Sequence, residues 1–128
     1  MKKFNVDYMS AHPDLYAQLK KDPDFIPIIE KQEKEINKRN YYYIPKEKVS
    51  EIESKIHNGD LIAITSNVKG LDINHVGIAV KMDDGRIHFM HAPNVGYKVQ
   101  ITGITLADYL MKVTKDTGIM VIRALEPK

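Results

Sequence analysis

The chain has 128 residues, 43% hydrophobic and 28% charged, which suits one ordinary globular domain. A net charge of +2 with no basic, aromatic-interleaved stripe argues against nucleic acid, and no apolar run reaches the length of a membrane span. Cysteine is absent, which excludes disulfides, thiolate metal sites and a thiol nucleophile within these residues.

Residues 1–58 are rich in lysine and glutamate and read as the helical part of the domain. Residues 59–128 read as its sheet part. Met1-Lys2-Lys3-Phe4 has the charged start of an export signal, but Asn5, Asp7 and Ser10 interrupt the apolar segment that should follow, so no signal peptide is visible. A short helix is expected over Pro13–Lys20, with proline tolerated at its first position. A longer one should start near Asp24, with Asp24 as candidate N-cap, carry Pro27 in its first turn and end by Asn40.

Tyr41-Tyr42-Tyr43-Ile44 is an extended aromatic link. Val49, Ile52 and Ile56 then repeat at helical spacing until Asn58-Gly59 stops the turn. Leu61–Thr65 is a continuous apolar run, as in a central strand. His75–Met82 and Arg86–Ala92 flank Asp83-Asp84-Gly85, a hairpin signal. Tyr97, Val99 and Ile101 alternate with polar residues like a half-exposed strand. Thr105 with Asp108 resembles a capping box ahead of Leu106, Tyr109, Leu110 and Val113, and Ile119–Leu125 closes the chain as a last strand. These elements make an α+β fold with a mainly antiparallel sheet.

Histidine titrates near neutrality, so the histidines of the hairpin are candidates for proton transfer. Strand alternation puts His75, Gly77 and Ala79 on one face, which has little bulk beside the histidine. His88 and His91 lie three apart and face opposite sides, so only one can meet His75; spacing alone does not say which. A zinc site of His75, His91 and Asp72 is the competing reading, but no metal-binding helix motif accompanies it. His12 and His57 sit at helix ends, and the Lys/Glu-rich stretches 30–39 and 46–55 read as solvated helix faces. Ser10 reads as a turn or cap residue.

Gly59-Asp60-Leu61, His75-Val76-Gly77-Ile78 and His91-Ala92 resemble the second half of the NlpC-type papain-like cell-wall peptidases. Tyr8–Pro13, Tyr43-Ile44-Pro45-Lys46, Gly70–Ile73 and Asp108-Tyr109-Leu110 bring the resemblance to the bacterial N-acetylmuramoyl-L-alanine amidase-like family. The resemblance implies the C-terminal portion of a papain-like fold and cysteine-dependent amide hydrolysis in peptidoglycan peptides, without a cofactor or metal, in an extracytoplasmic setting. It assigns His75 as general base and His91 as the residue that orients it. Asp72 and Tyr43 become substrate-binding candidates, and Gly59, Asp60 and Gly77 structural ones, with Gly77 and Ala79 seating the cysteine helix.

The family's cysteine precedes the matching region. The chain is therefore expected to be one domain incomplete at its N-terminus and inactive alone. A short relative that only binds cell-wall peptides or a protein, and a nucleophile from another polypeptide, are the alternatives. With a helix missing, the face of His75, Gly77 and Ala79 would be exposed and favour a homo-oligomer.

Overall fold

The structure, a computed structural model, describes Lys3 and residues 5–127. Met1, Lys2 and Phe4, of the charged start that resembles an export signal, lie outside the described residues. The chain packs as two compact units, residues 1–42 with 67–72 and residues 43–66 with 73–128. Among the described residues no helix is long and apolar enough to cross a membrane.

The first unit holds helices α1 (Tyr8–Ala11), α2 (Ala17–Lys21) and α3 (Ile26–Asn37). The expected helix over Pro13–Lys20 is broken at Tyr16, whose extended backbone (φ −117°, ψ 112°) separates a 3-10 turn at Pro13–Leu15 from α2. Upstream of α3 the capping residue is Asp22 rather than Asp24. Its carboxylate accepts the Asp24 N–H at 3.3 Å, because Pro23 opens a 3-10 turn at Pro23–Phe25 and moves the cap upstream. Buried Glu33 of α3 accepts the Met9 and Ser10 N–H groups at 3.2 and 3.3 Å and the Ser10 hydroxyl. Ser10 is thus the third residue of α1, its hydroxyl tied to Glu33 and the Asp7 carbonyl, and it does not cap the helix as expected. Asn37 exchanges two hydrogen bonds with the backbone of Val6, and the Gly70 carbonyl accepts the Asp7 and Tyr8 N–H groups.

The second unit is a six-stranded sheet in the order β1-β6-β2-β3-β4-β5, antiparallel at every pairing. Its strands are β1 (Ile44–Pro45), β2 (Leu61–Ser66), β3 (Ile73–Lys81), β4 (Ile87–His91), β5 (Gln100–Ile101) and β6 (Asp116–Ile122). Pro45 has no N–H for a ladder, and it lies in an edge strand. Leu61–Ser66 is central, as its apolar run requires, and Gly85 supplies the positive φ of the β3–β4 turn. Of the alternating stretch after Gly96 only Gln100 and Ile101 pair. Tyr97 instead adopts φ 49° and is almost wholly exposed, so 97–99 is a loop. The last strand starts at Asp116 and stops at Ile122, leaving Leu125 exposed.

Helices α4 (Val49–Ile52) and α5 (Leu106–Lys112) supply Val49, Leu106 and Leu110 to a core completed by Ile62, Ile64, Ala79, Phe89 and Ile119. Thr105 caps α5 by accepting the Asp108 N–H at 3.2 Å. The face of His75, Gly77 and Ala79 is therefore the core face. Ala79 is fully buried, and the room above Gly77 is filled by the Phe89 ring, so the expected exposed surface and free seat for another helix are not there. Exposed apolar residues of the central strands, Leu61, Val76 and Ile122 among them, lie on the opposite face.

Candidate active site

The hairpin register decides which histidine meets His75. Ile78 pairs with Met90 and Ala79 with Phe89, so odd-numbered residues of β4 share the core face with His75. His75 Nε2 lies 2.9 Å from His91 Nδ1. His88 points to the other face, where its ring meets the Thr102 carbonyl and the Asp84 carboxylate, each at 2.7 Å.

His91 is enclosed by rings. Phe89 stacks on it at 4.8 Å between centroids and 29°, and Tyr109 and His75 meet it edge-on at 5.3 and 5.1 Å. Gly77 makes this cage possible: a Cβ there would overlap the Phe89 ring and the Met90 carbonyl. Burial lowers the His91 pKa, and the charge of His75 lowers it further. The lowered pKa favours neutral His91. With its proton on Nε2, neutral His91 accepts through Nδ1 and His75 donates from Nε2, so that His75 Nδ1 carries no proton; with the proton on Nδ1, His91 donates to His75 Nε2 instead.

Beside the pair is an open cavity of about 340 Å³, lined by Asn74, His75, Asn94, Tyr109, Val113 and Asp116 among others. Asp116 is 2% exposed and accepts a hydrogen bond from Asn74 Nδ2 at 2.8 Å. Burial raises its pKa, while the Asn74 bond and the charges of Lys46 and His75 act against the rise. Burial also raises the Tyr109 pKa. Among the described residues no group of three or more His, Asp or Glu side chains is placed to hold a metal.

The structural candidates have definite tasks. Gly59 turns with φ 93° before β2, and its N–H donates to the Ala79 carbonyl at 2.8 Å. Asp60 is buried and accepts from Arg123 Nε at 2.9 Å, from its Nη2 at 2.7 Å and from the His57 N–H at 2.7 Å. Tyr43 packs against Gly118, and Asp72 belongs to the helical unit. Asn74, Phe89, Tyr109 and Asp116 were not singled out as site residues from the sequence. Asn74 stood beside His75, and Phe89 shared the face of His91, but nothing local brings Asp116 or Tyr109 to them.

The chain matches the N-acetylmuramoyl-L-alanine amidase-like family over residues 2–119. Two crystal structures of an N-acetylmuramoyl-L-alanine amidase from Bacteroides uniformis are each 36% identical, with TM-scores of 0.86 and 0.85. They match 95% and 94% of this chain and 52% and 51% of their own. A Bacteroides fragilis protein described as a candidate xylanase is 38% identical, with a TM-score of 0.86 over 96% of this chain and 54% of its own. The chain thus spans about half the length of the solved structures it matches. No curated protein matches it. Matched along nearly all its length, the chain belongs to the N-acetylmuramoyl-L-alanine amidase-like family.

Proposed function

We propose that this chain is the histidine-bearing part of a cysteine-dependent amide hydrolase that cleaves peptidoglycan peptides outside the cytoplasm, built on an NlpC-type papain-like plan. The observation that carries the reading is the hydrogen bond between His75 Nε2 and His91 Nδ1, beside an open, polar cavity. One ring is held by the other, and its second nitrogen is left to work as a base.

In the proposed reaction His75 Nδ1 takes the proton of a thiol supplied by residues other than these 128. The thiolate attacks the amide carbon, the C–N bond breaks, and the His75 imidazolium protonates the departing amine. Water, deprotonated by His75, then cleaves the thioester. His91 stays neutral and keeps the His75 ring in place. Asp72 and Tyr43 remain the candidates for substrate binding. Glycosidic cleavage, as a xylanase would perform, fits less well: that chemistry takes two flanking carboxylates, and among the cavity residues Asp116 is the one carboxylate.

The test joins the chain to the remaining half of the Bacteroides uniformis amidase and follows amide cleavage in muropeptides. Hydrolysis abolished by His75→Ala supports the assignment, and full activity in that variant removes it. The absence of cysteine favours one rival, a module that binds muropeptides without turnover. Saturable binding by the chain, with no hydrolysis from the joined protein, would favour that rival.

A further inference from the structure

The sheet around His75 contains a construction that the proton chemistry leaves unused. β3 pairs with β2 as His75 opposite Ile64 and then Ile73 opposite Thr65, so Asn74 is an extra residue. β6 pairs with β2 as Gly118 opposite Thr65 and then Asp116 opposite Ser66, so Thr117 is a second extra residue. Two bulges therefore sit one residue apart along β2, on either side of it. A bulge bends its strand and re-aims the side chains next to it.

Strands separated by one intervening strand stand about 9.6 Å apart in a regular sheet, a long reach for an Asn–Asp hydrogen bond. Here Asn74 Nδ2 and Asp116 Oδ1 are 2.8 Å apart across the end of β2. The Thr65 and Thr117 hydroxyls, 2.7 Å apart, secure the second bulge. Asp116 is buried, and a buried carboxyl is held where its hydrogen bonds are. Asn74 is thereby tied to a fixed point.

We propose that Asn74 and Asp116 are positioning residues, whose hydrogen bond across β2 locks the bulge next to His75 and so aims the His75 ring at His91. The role in catalysis rests on the function proposed above; the aiming itself is a property of the ligand-free chain. His75 follows Asn74 directly, so any shift of the bulge acts on its Cβ first. Sliding the extra residue along β3 would turn His75 to the opposite face, away from His91.

The experiment is ring-nitrogen NMR of the full chain with labelled histidine, reading solvent exchange of the proton shared by His75 Nε2 and His91 Nδ1. Asn74→Ala and Asp116→Ala should each speed that exchange about tenfold, the equivalent of one hydrogen bond. Asp116→Asn, whose amide oxygen can still accept from Asn74, should restore slow exchange. Val76→Ala, an exposed change on the same strand, should leave it slow. Unchanged exchange in Asn74→Ala, or equal acceleration in Val76→Ala, overturns the proposal. No substrate enters this measurement, so failed hydrolysis with an intact shared proton counts against the proposed function alone.

Discussion

His91 is stacked on Phe89 with 4.8 Å between ring centroids while its Nδ1 faces His75 Nε2 at 2.9 Å. The stacking fixes the plane of one ring, and the hydrogen bond transmits that plane to the other. A side chain that orients the base can be replaced by another acceptor of similar reach. On the function proposed above, His91→Asn in the joined protein should therefore retain more rate than His91→Ala, which should lose about 10²–10⁴-fold, the usual range for disabling a general base. Equal rates in both variants would show that no acceptor is needed there.

The sign of the His91 shift sets a pH dependence. Its folded pKa lies below the ordinary 6.5, because burial and the charge of His75 oppose protonation. The folded state thus binds fewer protons there than the unfolded chain. Its contribution is complete above the unfolded value and is eroded as pH falls through 6.5 towards the lower folded pKa. The shared ring proton should disappear over the same acid range, since protonated Nδ1 no longer accepts. NMR titration of the two rings would check this.

His88 behaves in the opposite way. Both of its ring nitrogens face acceptors, the Asp84 carboxylate and the Thr102 carbonyl, so the imidazolium satisfies both and the pKa is raised. Its contribution is full below 6.5 and is lost as pH rises through the higher folded value. Asp84 is lowered, chiefly by His88, so its share is present above 3.8 and fades as pH falls through its lower folded pKa. The pair should therefore stabilise the β3–β4 hairpin most between pH 4 and 6.5. His88→Ala should cost about 2 kcal/mol at pH 6 and less at pH 9, measured by denaturant unfolding at both.

Asp60 and Arg123 tie the start of β2 to the segment following β6. The Arg123 hydrogen bonds pull the Asp60 carboxyl down to about 2, against the opposing effect of burial. This contribution is present above the unfolded value of 3.8 and is lost as pH falls through about 2. Asp60→Asn should cost about 2 kcal/mol at pH 7, as for a buried carboxylate that loses charge-assisted hydrogen bonds to a half-exposed arginine. The difference from the parent chain should shrink towards zero at pH 2. A cost independent of pH would mean that packing, not charge, is what Asp60 provides.

What could be read from the sequence was local. The Asp83-Asp84-Gly85 turn and the Thr105 cap depend on a few neighbouring residues, and both form as expected. The alternation from Tyr97 to Ile101 was equally regular but misled, since only its last two residues find a partner strand. The Asp24 cap failed by two residues because Pro23 opens its own turn. In the site, alternation showed that only one of His88 and His91 could meet His75, and the register of the β3–β4 hairpin makes it His91. The clamp of Asn74 on Asp116 joins residues 42 apart and depends on two bulges that no periodicity announces.

Gly77 links the fold to the site most directly, and its substitution tests the link. Its φ is not positive, so alanine would suffer no backbone strain; the cost arises from space. A Cβ would overlap the Phe89 ring and the Met90 carbonyl on the neighbouring strand. Both the backbone at Met90 and the fully buried Phe89 ring must therefore shift. Overpacking of this kind costs about 1–3 kcal/mol. Because Phe89 stacks on His91, the displacement should also weaken the His75–His91 hydrogen bond. Gly77→Ala is thus expected to lower stability and speed exchange of the shared ring proton together. The double variant Gly77→Ala/Phe89→Leu should recover part of the stability while leaving exchange fast, because leucine makes room but offers no ring to stack. Slow exchange in the double variant would show that the His75–His91 bond alone sets the geometry of the pair.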